Sequence, residues 1–214
     1  MKAKILVFGV LIAGAFSVQA QPGTFSTQGL AGWQPQTFKG RTETAYELVQ
    51  DDGVQVLQAR CDRSASGLIW KEPVDLKRTP VLSWRWRVDR VYADAEQQEK
   101  RGDDFPARVY VVRDGGWAIW RTVSLVYVWA NGREKTGDWA DPYTRQAHII
   151  ALGTGDKALG HWHSERRDVR ADFKTYFGMD VDKVDAVAVM SDCDDTGNHS
   201  VSEYGDLGFD VPSP

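Results

Sequence analysis

Hydrophobic and polar residues alternate with a period of two through most of the chain. The clearest run is 81–89, where Leu82, Trp84, Trp86 and Val88 alternate with Ser83, Arg85, Arg87 and Asp89. Successive side chains on a strand point to opposite faces, so this run presents one apolar and one polar face. The same reading predicts strands over 45–49, 54–60, 67–70, 107–113, 123–129, 147–152, 184–190 and 203–210. Turn signals separate them, among them Asp51-Asp52-Gly53, Asp114-Gly115-Gly116 and Asn131-Gly132. One segment breaks the pattern: Val169, Phe173, Tyr176 and Phe177 fall at helical spacing, with Asp168 placed to cap the start and Gly178 to end it. The polar stretch 93–101 reads as a short helix or a surface loop.

About nine strands joined by turns, with almost no helix between them, predict a mainly all-β fold, an antiparallel jelly-roll-like β-sandwich with one short helix. No internal repeat or linker divides it. Ahead of the strands, Lys2 and Lys4 precede an apolar run from Ile5 to Phe16 and a small-x-small ending at Ala20. That is the layout of a cleavable secretory signal, too short to span a bilayer, which needs about 20 apolar residues. The expected organisation is therefore a signal peptide at 1–20 and a single β-sandwich domain at 21–214. Gln21 offers no cysteine for a lipid anchor, so a periplasmic or secreted protein, not membrane-embedded, is expected. Removing the leader leaves 24 basic residues against 30 acidic ones, a net charge of −6. An acidic domain argues against nucleic acid, whose phosphates are bound by basic patches. In an oxidising compartment the two cysteines, Cys61 and Cys193, read either as one disulfide or as two buried thiols.

Several strings resemble the bacterial domain-of-unknown-function family 3047. They are Leu82-Ser83-Trp84-Arg85-Trp86-Arg87-Val88, the run from Gly102-Asp103-Asp104-Phe105-Pro106 to Val112, and Tyr127-Val128-Trp129. Met190-Ser191-Asp192-Cys193-Asp194-Asp195-Thr196-Gly197 and Tyr204-Gly205-Asp206 continue the resemblance. It carries no assigned activity and implies fold and export. More loosely, Gly32-Trp33, Ser64-Ala65-Ser66-Gly67-Leu68 and the Asp206 strand are similar to galactose-binding-like jelly rolls, the architecture of many carbohydrate-binding modules.

Nine tryptophans are well above ordinary usage. Trp84, Trp86 and Trp129 share faces with core residues, whereas Trp117, Trp120 and Trp139 stand near turns. An indole with an exposed face offers an apolar platform and one N–H, which suits a sugar, although packing under loops is the alternative for each. Asp103 and Asp104 precede a strand that carries Arg108 and Tyr110 on one face. Adjacent carboxylates can tune one another for acid–base work, ligate a cation, or pair with arginines. His161-Trp162-His163 places two imidazoles on one side of a strand, weak evidence for zinc without a third ligand. The most specific motif is Asp192-Cys193-Asp194-Asp195-Thr196-Gly197 with Glu203 beyond it. Asp192, Asp194, Thr196 and Glu203 match positions of a calcium loop, and a hydrogen-bonded Asp turn is the other reading.

These observations lead to an exported non-catalytic binding module for carbohydrate or a cell-envelope glycan, or another small polar ligand. Asp103, Asp104, Arg108, Tyr110, Trp117, Trp120 and Trp139 are expected at the ligand, and structural calcium at Asp192, Asp194, Thr196 and Glu203. A hydrolase or lyase using Asp103 or Asp104 is the rival, and an envelope protein-interaction module the third reading.

Overall fold

We describe the protein from a computed structural model over residues 21–118, 121–133 and 137–212; residues 1–20, expected to be a leader, and Trp120 lie outside the described residues. In chain order the elements begin with Phe25–Gln28 (α1), Trp33–Thr37 (β1), Ala45–Asp51 (β2), Val54–Asp62 (β3), Ala65–Trp70 (β4), Val74–Asp75 (β5) and Val81–Val88 (β6). A 3-10 turn at Lys100–Gly102 precedes Arg108–Arg113 (β7), Val123–Ala130 (β8), Asp138–Ala140 (β9), Ala147–Thr154 (β10) and His163–Asp168 (β11). Val169–Phe177 (α2), Lys183–Val184 (β12), Ala186–Asp192 (β13), His199–Tyr204 (β14) and Gly208–Asp210 (β15) complete the fold.

Two sheets form a β-sandwich with jelly-roll-like layering. One has the order β1-β4-β13-β7-β8-β10-β9, the other β11-β6-β14-β3-β2 with β15 added to β6. Alternation puts Leu82, Trp84, Trp86 and Val88 of β6 into the space between the sheets, where they meet Val109, Val111, Tyr127 and Trp129. The aromatic rings interlock there: Trp84 lies 5.4 Å from both Trp86 and Tyr127, and Trp86 lies 6.0 Å from Trp129, centroid to centroid. Such offset and edge-on pairs add to the area that each ring buries. A disulfide between Cys61 on β3 and Cys193, just after β13, ties the two sheets together.

The helix forms where its spacing and caps place it. The Asp168 carboxylate accepts from the Ala171 N–H at 2.9 Å, and Gly178 adopts the left-handed conformation at φ 67°. The antiparallel expectation has one exception, because β8 and β10 pair in parallel. The connection between them exceeds a dozen residues, which a parallel return needs, and β9 folds back from it onto β10. The run 203–210 is two strands and not one, since Gly205 to Leu207 turn between β14 and β15. Strand β1 escapes the alternation rule because it is an edge strand that carries Pro35 and buries only Trp33. Edge strand β11 is equally polar in sequence, and its charges protect an exposed edge from further pairing.

The seven-stranded sheet has a second apolar layer on its outer face, formed by Phe105, Val126, Val128, Ala147 and Ile149 with Trp139 packed against them. Side-chain bonds hold the segment that leads to Phe105 in place. Asn131 donates to the carbonyls of Tyr92 and Ala95 at 2.9 and 2.8 Å, and Gln97 donates to that of Asp104 at 2.7 Å. Close approach also constrains Gly102, where a Cβ would fall 2.5 Å from the Glu96 backbone nitrogen.

Candidate functional site

Two polar regions stand apart from the hydrophobic core. The first gathers Asp103, Asp104, Arg108 and Tyr110 with Asp192. Arg108 projects from the outward face of β7, opposite Val109 and Val111, yet the layer above it makes it only 2% exposed. Its guanidinium forms a two-pronged pair with Asp192, one prong being Nε to Oδ1 at 2.8 Å. It also donates to the Asp103 carbonyl, to the Asp103 carboxylate at 3.5 Å and to the Tyr110 hydroxyl at 3.3 Å, and it lies 4.4 Å over the Phe105 ring. Asp103 is 6% and Asp104 0% exposed. Burial pushes the Asp103 carboxyl up to about 6 against the pull of Arg108, with Asp141, Asp104 and Asp195 adding to the rise. Burial likewise raises Asp192 and Asp104, opposed by Arg108 in the first case and by Thr196 hydrogen bonds in the second. Arg108 stays charged: burial disfavours its cation, but Asp103 and Asp192 outweigh that and raise its pKa.

The four residues expected at calcium, Asp192, Asp194, Thr196 and Glu203, divide. Asp104 Oδ2 accepts from both the backbone N–H and the hydroxyl of Thr196 at 2.7 Å, while Asp104 Oδ1 is buried without a partner. Asp194 pairs with Arg41, which also holds Asp195 at 3.2 Å. Carboxylate oxygens of Asp104, Asp192 and Asp194 all lie within 4.8 Å of one another. Glu203 is placed elsewhere. It belongs to β14 opposite Arg87 and Gln58, and its carboxylate pairs with Arg87 and accepts from Gln58 at 2.9 Å. The spacing missed Asp104, which a distant loop brings to the cluster.

The second region covers the outer face of the six-stranded sheet. A groove of about 710 Å³ crosses from Ser164 and Arg166 on β11, over Ser83 and Arg85 on β6, past Gly205 and Asp206, to Val54 on β3. Beside it stands Trp162, its ring 4.4 Å from the Arg85 guanidinium carbon and 4.9 Å from that of Arg87. Trp162 donates to Asp51 at 2.8 Å, and Asp51 accepts from Arg87 at 2.7 Å. The Trp162 hydrogen bond and then Arg87 hold the Asp51 carboxyl below its ordinary range. Sequence reasoning placed Arg85 and Arg87 on the polar face of β6 but had no means of bringing Trp162, Asp206 and Val54 to them. The signal available was that alternation together with a tryptophan flanked by histidines.

Of the tryptophans expected at a ligand, Trp117 is 90% exposed but lines neither region, and Trp120 is outside the described residues. Trp139 stacks on Phe105 at 6.2 Å with a buried indole N–H, in the manner of packing under a loop. His163 is taken up edge-on by Trp129 at 5.0 Å, and among the described residues the Asp104 group alone has three side chains able to share a metal. No described helix is long and apolar enough to cross a membrane.

Solved structures with a similar fold include the family 30 carbohydrate-binding module of a cellulosomal cellulase from Clostridium thermocellum. It is 11% identical, with 86% of this chain and 93% of that one covered and a TM-score of 0.48. A family 28 module specific for non-crystalline cellulose is 12% identical, over 88% and 92% of the two chains, with a TM-score of 0.47. A cellulase derived from the Cel12A enzyme of Rhodothermus marinus is 8% identical, over 87% and 94%, with a TM-score of 0.49. No curated protein matches the sequence. The sequence model of the family described as a protein of unknown function, DUF3047, matches residues 31–208, and the chain therefore belongs to that family.

Proposed function

We propose that the chain is an exported, non-catalytic binding module that holds a carbohydrate or cell-envelope glycan on the outer face of its six-stranded sheet. The groove of about 710 Å³ along β6 carries this reading. Ser83, Ser164, Gln55 and Thr24 line it together with charged side chains of both signs, a lining suited to a ligand made of hydroxyl groups. The Asp103 and Asp104 carboxylates, which a hydrolase or lyase would need at its substrate, are buried under the other sheet's outer layer and engaged by Arg108 and Thr196. Export rests on the leader at 1–20. A titration of intrinsic tryptophan fluorescence with a glycan panel, followed by chromatography of the mixtures, tests the reading. A saturable change without product is expected. Product that disappears in Asp104→Asn would replace the module by an enzyme.

We also propose structural calcium at Asp104, Asp192 and Asp194. The support is the unpartnered, fully buried Asp104 Oδ1 beside two further carboxylates, in a region where three buried aspartates face one buried guanidinium. A hard cation with oxygen ligands fits both the vacant lone pairs and the charge. Thr196 then supports Asp104 through hydrogen bonds, and Glu203 takes no part.

A further inference from the structure

We propose that the groove's ligand is an acidic glycan, and that Arg85 clasps a sugar carboxylate of the uronic acid type. The inference rests on the reading of the groove as a glycan site and narrows its ligand class.

The guanidinium of Arg85 is held in position without using its donors. Trp162 lies on one part of it, with the ring centroid 4.4 Å from the guanidinium carbon. Gly205 passes against its stem: a Cβ at that position would fall 2.5 Å from the Arg85 Cγ and 2.6 Å from its Nε. A glycine is required there for the arginine to lie as it does. Among the described residues no ion pair or side-chain hydrogen bond engages the Arg85 guanidinium, although the residue is half-buried.

Its charged neighbours are all engaged. Arg87 pairs with Asp51 and Glu203, and Arg166 lies 3.8 Å from Asp210. Among the groove's acids, Glu165 accepts from the Trp86 indole at 3.2 Å, Asp206 from the Ser26 N–H at 2.9 Å, and Asp210 from Ser83 at 2.7 Å. Each of these carboxylates thus accepts from a donor of the chain, whereas among the described residues the Arg85 guanidinium has no ion pair or side-chain hydrogen bond. A guanidinium presents a planar fork of donors that matches a carboxylate in two-pronged fashion, and charge-assisted bonds of this kind are about twice as strong as neutral ones. A neutral hydroxyl would fill one prong and leave the other donors of a half-buried guanidinium without an acceptor. The mature chain's net charge of −6 disfavours diffuse adsorption of a polyanion, so binding of a polyuronate would require such a local clasp.

The test uses the purified protein in calorimetric titrations at physiological salt. The probes are hexamers of galacturonate, mannuronate and glucuronate, their methyl esters, neutral cellohexaose, and a sulfated hexasaccharide. At least one uronate should bind tenfold or more tightly than its own methyl ester, and Arg85→Gln should remove that difference. Gly205→Ala, which keeps the arginine but displaces it, should lower uronate affinity several-fold while both variants melt within a few degrees of wild type. Esters or cellohexaose binding as tightly as the acids would overturn the acidic class and leave the glycan module standing. Uronate binding that ignores Arg85→Gln, or binding of the sulfated sugar alone, would overturn the carboxylate clasp. Failure of every sugar, acidic and neutral, would overturn the module reading itself.

Discussion

Arg108 on β7 and Arg85 on β6 occupy the same kind of position. Each projects from the outward side of a strand whose inward neighbours fill the core between the sheets. Arg108 nevertheless lies beneath Phe105 and the segment before it, paired with Asp192 and Asp103, whereas Arg85 faces an open groove. The two regions use the same residue types for opposite ends. Where a second layer covers a cation, its counter-charges must come from the chain, and it becomes part of the fold. Where the face stays open and the nearby acids are engaged with other groups, the cation has no ion pair among the described residues.

The largest effect that separates the regions is on stability. Arg108→Ala strands the Asp103 and Asp192 carboxylates in a buried site, and breaking such a pair costs about 3–5 kcal/mol. Arg85→Ala, half-exposed and without an ion pair, should stay within about 1 kcal/mol of wild type. Urea unfolding of both variants measures the difference, and similar losses would erase the contrast between a closed and an open cation. Next in size is the disulfide that pins the closed region. Cys61→Ser should lower stability by about 2–5 kcal/mol, since the bridge closes a loop of more than a hundred residues in the unfolded chain. Two titratable thiols in the denatured, unreduced wild type would contradict it.

Alternation alone made the sandwich legible, because a period-two pattern such as that of β6 dictates which side chains enter the core. The caps of α2 were equally local and equally readable. What alternation does not encode is whether an outward face meets water or a second layer. Asp103, Asp104, Arg108 and Tyr110 were therefore legible as a group, but their burial depends on a segment held by Gln97 within it and by Asn131 from elsewhere in the chain. The groove was hidden for the same reason: Arg85, Trp162 and Gly205 are far apart in sequence and meet only through the pairing of β6 with its neighbours. Glu203 shows the converse. Its spacing from Asp192 suits a loop ligand, yet a strand position opposite Arg87 decides where its carboxylate goes.

Calcium gives the next effect, again confined to the closed region. A ligand that binds only the native state at a hundredfold excess over its Kd adds about 2.7 kcal/mol. Wild type should therefore melt at a higher temperature in millimolar calcium than in chelator, and Asp194→Ala should lose that rise. Arg85→Gln should keep it in full. A melting point indifferent to calcium would leave Asp104, Asp192 and Asp194 as a hydrogen-bonded acidic turn.

The smallest effect distinguishes two tryptophans. Trp117 is 90% exposed and attractive as a platform for that reason, whereas Trp162 is half-buried and lies against Arg85 and Arg87. Exposure is a poor guide if the ligand is held by an oriented cation, because what matters is the ring that fixes the guanidinium. Cation–π contacts at such partly exposed sites are worth about 0.5–1 kcal/mol. Trp162→Ala should accordingly weaken uronate binding about two- to fivefold, as that energy implies when converted to affinity. Trp117→Ala should change unfolding free energy by no more than about 0.5 kcal/mol, as surface substitutions usually do, and should leave affinity untouched. Calorimetry of the two variants against the tightest-binding uronate reads the contrast directly. A larger loss from Trp117→Ala would move the ligand from the six-stranded face to the loop after β7, and the open cation at Arg85 would then need another explanation.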